Sequence, residues 1–275
     1  MAGDAPMHTD DNALLEFNAP RNMALYQDEN ALLERIEGYR SGDLDFLTGP
    51  GSKLLLGNGI KAVQATGLLL KAKLRINANR GMQGLEAVRE AQALHPSNPA
   101  IKQVLDQAAQ LAHGLLRAGR PGEGGPLLEA LLQVEPRRPY DQVALGNLQF
   151  RAKRMRRAAE AYERALSVMP NHPEALYRLA YVLATAPDDA FFNGPRALEL
   201  AQHSVSLTQS QSSLALRSLG IALASVGRFG EAGQAIDQAL RVLAGPQERN
   251  NPGLRQVMEN MKQAFLAGRS MRAGR

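Results

Sequence analysis

Apolar residues recur along this 275-residue chain at helical spacing, in blocks that come in pairs. In AYERALSVMPNHPEALYRLA (residues 161–180), one amphipathic run ends at a proline-bounded turn and a second begins just beyond it. The stretch therefore reads as the end of one helix, a turn and the start of another. HPSNP, EPRRP and MPNHP place prolines at 96/99, 136/139 and 170/173. The first proline of each pair ends a helix, because it lacks an N–H and disfavours helix in the residue before it; the second suits the first turn of the next helix. The prolines keep step with the apolar blocks, so they read as helix punctuation rather than as a P-x-x-P ligand for a proline-binding domain. Upstream, NMALYQDENALLERIEGYR reads as an amphipathic helix with Met23, Leu25, Leu32, Leu33 and Ile36 roughly on one face, and residues 43–80 read as two more helices. The most apolar long window, Leu54 to Leu74, is interrupted by Asn58, Lys61, Gln64, Lys71 and Lys73, which makes it a core helix and not a membrane span. A last helix, from Leu254 to Leu266, follows Asn250, Asn251 and Pro252.

The paired blocks are copies of one another. Leu145, Gly146, Ala158, Tyr162, Ala165 and Pro170 form one set, and Leu219, Gly220, Gly227, Phe229, Ala232, Ile236 and Ala239 another. Between them, Leu179 and Ala180 open a unit that Ala197, Ala201 and Ser204 continue. Leu111, Ala112, Gly119, Gly124, Leu128 and Pro136 form a weaker copy, and Gly84, Val88, Ala91 and Pro96 preserve a second helix only. A small residue on each of two helices lets them approach closely, and a large one beside them fills the remaining space. The spacing is 34 residues from Gly146 to Ala180 but 40 from Ala180 to Gly220, with the excess mostly in TAPDDAFFNGPRA.

These offsets resemble the tetratricopeptide repeat, from about Gly81 to Ala244. The resemblance implies an all-α fold, a right-handed α-solenoid of helix–turn–helix repeats closed by a C-terminal capping helix. The expected organisation is an extended head at 1–20, a helical lead-in at 21–80, repeats at 81–246, and a capping helix and tail at 247–275. It also implies that one side of each unit's first helix lines a concave face. His113, Arg117, Asn147, Phe150, Arg151, Tyr177, Tyr181 and Arg217 are the expected partner-binding groove. Tyrosine offers amphipathic contact at low entropic cost and arginine grips carboxylates bidentately. The expected partner is thus a protein or peptide, with acidic groups as a fitting complement; self-association through the terminal helix is a further expectation. Relatives that clamp chaperone tails place Lys and Asn in one unit; here only Asn147 sits suitably and Val143 stands where Lys would, which disfavours that ligand.

Composition narrows the chemistry. The chain has no Cys, which removes disulfides, thiolate metal sites and cysteine nucleophiles together. Its five histidines stand at least 18 residues apart, without helical metal-ligand spacing, so neither metal nor cofactor is expected. No Ser-His-Asp or paired-carboxylate set falls on one element, and the expectation is a chain without catalysis of its own. GPGSKLLLG contains Gly-Ser-Lys, but not in the order a phosphate loop needs. Net charge is +5, and RAKRMRR (151–157) concentrates five cations. That run has no interleaved aromatic and falls at an inter-helix turn, so nucleic-acid binding is not expected. The N-terminal residues lack a basic-then-apolar leader, and a cytoplasmic location without membrane insertion is expected.

The head stands apart. HTDDNALLEFNAPR resembles the closing segment of spermidine synthase-like proteins over about fifteen residues. That resemblance implies an alternative in which the array is the C-terminal appendage of an aminopropyltransferase whose catalytic part is not in this chain, and which would be membrane-associated only as part of that longer chain.

Overall fold

The computed structural model describes residues 50–245 and 251–272, with side chains from residue 61 onward. Among these residues there are eleven helices and no strand, and the fold class is all-α helical repeat. The head at 1–20 and the helix expected at residues 22–40 lie outside the described residues. The helices fall into two compact units that divide after Val134.

The first unit holds α1 (Pro50–Asn77), α2 (Gly81–Leu94), α3 (Ala100–Arg117) and α4 (Pro121–Val134). The two helices expected over 43–80 are instead one: α1 runs unbroken for 28 residues. Residues 43–49 lie outside the described part. The C-terminal half of α1 packs against α2, so the pair forms a further helix–turn–helix that the sequence showed only by its second half. Leu69 and Ile76 of α1 are buried with Leu85 and Val88 of α2, and Leu105, Leu128 and Leu131 continue the core through α3 and α4.

The second unit holds α5 (Pro139–Arg151), α6 (Met155–Val168), α7 (Pro173–Thr185), α8 (Gly194–Leu207), α9 (Ser213–Ser225), α10 (Phe229–Leu243) and α11 (Pro252–Leu266). They pack as α5/α6, α7/α8 and α9/α10, with α11 against α10. Local chemistry sets the helix starts. His172, Asn193, Ser212 and Asn251 each accept a backbone N–H three residues on, at 3.4, 3.0, 3.3 and 3.0 Å. Each fills one of the donors a helix N-terminus leaves open. Pro173 and Pro252 stand in the first turns of α7 and α11.

Close approach within a pair depends on the small residues. A Cβ on Gly146 would lie 2.5 Å from the Tyr162 ring, and one on Gly220 2.9 Å from Ile236. Tyr162, Leu216, Ile221, Ile236, Leu243 and Phe265 are fully buried in one continuous core, which Met258, Met261 and Phe265 of α11 close. The turns inside the pairs reverse through a left-handed residue: Asn79, Gly119, Lys153 and Gly227 have φ of 60°, 74°, 59° and 81°. Three of the four suit that conformation; Lys153 does not.

Candidate partner-binding face

The expected groove residues divide between the two units. His113 is half-buried and Arg117 exposed, both on α3 of the first unit. The other six belong to the second unit, on α5, α7 and α9. There the structure brings most of them into contact. The Phe150 and Tyr181 rings meet edge to face, 5.4 Å between centroids. The Arg217 guanidinium lies over the opposite partner of that pair, 5.4 Å from the Tyr181 centroid. Phe150 on α5, Tyr181 on α7 and Arg217 on α9 thus form a stack that crosses three first helices.

Beside it runs a hydrogen-bonded chain. The Tyr162 hydroxyl donates to Asn147 Oδ1 at 2.8 Å, and Asn147 Nδ2 donates to Glu174 Oε1 at 3.1 Å. Arg178 Nε stands 3.4 Å from the same Glu174 oxygen, with its guanidinium 5.5 Å from the Tyr177 centroid. Asn147 is therefore held at both ends of its amide within the protein, a structural link rather than an open contact. Tyr177 is only 7% exposed, and burial pushes its phenol above the ordinary tyrosine range. Burial likewise pushes the Tyr162 phenol up. Arg151 is exposed at the end of α5.

Arg217 differs from its neighbours. Its Nε is buried with no acceptor, and no acid among the described residues pairs with it. Desolvation lowers its pKa from the ordinary arginine value, and the like charge of Arg178 adds to the effect. Glu174 is already engaged by Asn147 and Arg178. The face consequently carries a partly desolvated cation, over an aromatic ring, without a counter-ion among the described residues.

The basic run at 151–157 does lie at a turn, between α5 and α6. At the corresponding turns Arg120 pairs with Glu123 and Arg228 with Glu231. After Arg154 the corresponding position is Arg157, so that pairing is missing here. Arg156 of the same run instead reaches Asp188 in the long α7–α8 link. Among the described residues no group of three or more His, Cys, Asp or Glu is placed to hold a metal ion. Among them, too, no helix is long and apolar enough to cross a membrane.

Residues 109–167 and 143–190 match the family model for the tetratricopeptide repeat. This stretch is similar to the tetratricopeptide repeat. It runs from within α3 to the α7–α8 link and includes α5, α6 and α7, whereas α8 and α9 lie beyond it. Solved repeat structures are similar to this chain at low identity. MamA from Desulfovibrio magneticus RS-1 is 20% identical, with a TM-score of 0.45 over 60% of this chain and 88% of its own. YrrB, a TPR protein with an unusual peptide-binding site, is 16% identical, with a TM-score of 0.46 over 66% and 88%. A thermophilic TPR protein of Thermus thermophilus is 15% identical, with a TM-score of 0.42 over 74% and 99%. No curated protein matches the chain. The spermidine synthase-like stretch falls in residues outside the described part.

Two site features escaped the sequence. Arg178 and Glu174 complete the face, one residue after and three residues before Tyr177, and neither stands among the expected groove residues. The Tyr162–Asn147 bond joins a core position to a face position, and no periodicity encodes it.

Proposed function

We propose that this chain is a protein-interaction scaffold without catalysis of its own, and that the α5/α7/α9 face binds an extended peptide carrying a carboxylate. The observation that carries the reading is Arg217. A partly desolvated guanidinium without a counter-ion is costly to keep, and a bidentate carboxylate removes that cost when it binds. The Phe150–Tyr181 pair beside it offers apolar and edge-on aromatic contact for an adjacent side chain. Asn147 and Tyr177 act one step back: the amide orients Glu174, and the buried ring supports Arg178. The exposed Arg151, at the end of α5, extends the set of candidate contacts for a longer peptide. The repeat architecture supports the scaffold role; the carboxylate preference is read from the charge of this face.

The test is a peptide array of acidic sequences, each beside a version with Asp and Glu replaced by Asn and Gln. Wild-type protein should bind a subset of the acidic peptides and lose their neutral versions. Arg217→Gln should weaken those complexes by about tenfold or more, the scale of one lost charge-assisted contact. Arg217→Lys should recover only part, because an ammonium lacks the planar fork. Unchanged binding by Arg217→Gln would refute the assignment.

A further inference from the structure

The α7–α8 link, residues 186–193, is five residues longer than the three-residue turns inside the other pairs, and its insert builds two matching receptors for arginine. In Asp188-Asp189-Ala190-Phe191-Phe192 the same pair, Asp followed three residues later by Phe, occurs twice in overlapping register. Asp188 accepts from Arg156 of α6, whose guanidinium lies 5.6 Å from the Phe191 centroid. Asp189 accepts from Arg272, whose guanidinium lies 4.3 Å from the Phe192 centroid. The link's own turn sets this geometry: the Phe191 and Phe192 amides both donate to Asp188 O, at 3.1 and 2.9 Å, and the Ala190 amide donates to Asp188 Oδ1 at 3.0 Å.

The two occupants are not equivalent. Arg156 stands on a repeat helix and is fixed with it. Arg272 comes from the C-terminal tail, six residues beyond the end of α11. It also donates from Nε to Ala186 O at 3.1 Å and from a terminal nitrogen to Pro187 O at 3.4 Å. Met271, just before it, packs on the apolar core. The Arg272 side chain is only 8% exposed, whereas that of Asp189 is 72% exposed, so the second receptor opens to solvent at its rim.

We propose that the Asp189–Phe192 receptor is a binding site for a protein segment bearing an apolar residue followed by arginine, and that Met271-Arg272 of the chain's own tail occupies it as an intramolecular latch. The receptor supplies every element arginine recognition needs: a carboxylate, two carbonyl acceptors and an aromatic plane. Its resident is a segment tethered to the fold through α11, which a partner segment of the same chemistry displaces. This site is independent of Arg217 and of the α5/α7/α9 face. While tethered, the tail competes at an effective concentration on the order of mM, so entry in trans is weak until the latch is released.

The probe is a fluorescein-labelled peptide of residues 266–275, LAGRSMRAGR, titrated by anisotropy into full-length protein. Arg272→Ala vacates the receptor and should bind the probe about tenfold or more tightly than wild type, given the tethered competitor in the latter. A probe with alanine at the arginine that follows Met should not bind, and adding Phe192→Ala to the Arg272→Ala protein should abolish binding. If Arg272→Ala fails to fold, Arg272→Lys supplies a weakened latch for the same comparison, since it keeps the charge but loses the planar stack. Probe binding no tighter to the variant than to wild type, or binding that survives loss of the probe's arginine, would overturn the proposal. Dimerisation of the pure wild-type protein that vanishes in Arg272→Ala would reassign the receptor to a second copy of this chain and overturn it equally.

Discussion

The same substitution, glycine to alanine inside a helix, should act with opposite signs at two places in the second unit. At Gly146 a Cβ would lie 2.5, 2.7 and 3.0 Å from three atoms of the Tyr162 ring. The ring is fully buried and tethered by its hydroxyl to Asn147, so it has no free direction in which to retreat. Overpacking of this kind costs about 1–3 kcal/mol. A ring shift that breaks the Tyr162–Asn147 bond adds about 1 kcal/mol, and better helix propensity returns about 1 kcal/mol. Gly146→Ala should therefore destabilise the protein by about 1–3 kcal/mol, lowering the melting midpoint by about 2–4 °C for each kcal/mol. At Gly233, inside α10, a Cβ would meet nothing within 4 Å. Gly233→Ala should gain up to about 1 kcal/mol from propensity alone. Urea and thermal unfolding followed by helical circular dichroism measures both. A Gly146→Ala protein as stable as wild type would show that the pair α5/α6 is not set by close approach at this residue.

Lys153 holds a left-handed conformation, φ 59°, where two corresponding turns have glycine. Lys153→Gly should stabilise by about 1 kcal/mol, despite shortening a side chain, because the strain of a Cβ there disappears; a drop in the urea midpoint would contradict this. Tyr162 and Tyr177 have phenols raised above the ordinary tyrosine value of 10.0, chiefly by burial. Below pH 10 both states keep these protons and stability is undiminished. As pH rises past 10.0 the unfolded chain ionises first, so stability should fall by up to about 1.4 kcal/mol per pH unit for each tyrosine. Tyr162→Phe should flatten that alkaline slope while costing about 1 kcal/mol at neutral pH through the lost bond to Asn147; an unchanged slope in the urea midpoints would refute the assignment.

The repeat skeleton was legible because it is written in size. Gly146 with Tyr162 and Gly220 with Ile236 are small–large pairs at one fixed offset, and the structure uses each as a close contact. The α1/α2 pair was half hidden, since Lys71-Ala72 takes the place where other units show a Leu-Gly or Leu-Ala pair; a Cβ on Gly84 would still meet Ile76 and the Ala72 carbonyl. Which helix side each face residue occupies could be read from periodicity, but not how deep it sits. Tyr177 shares its helix side with the partly exposed Tyr181, yet it is buried against neighbours that the pattern does not specify. The excess length between α7 and α8 was visible as a count. Its content was not, because Asp189 and Arg272 are 83 residues apart and meet only through the fold.

That clasp has a consequence for how the molecule is made. The main helix contacts join elements one or two apart in chain order, so each pair can dock while the ribosome is still adding the next. The bond from Arg272 to Asp189 cannot form until Arg272 itself has been added, 83 residues after Asp189. A chain ended early, by a stop codon or a protease, keeps its repeats but leaves the Asp189–Phe192 receptor uncovered. The receptor's occupancy is thus a record that synthesis has passed Arg272, and a factor that reads the uncovered site would distinguish molecules cut short before that residue.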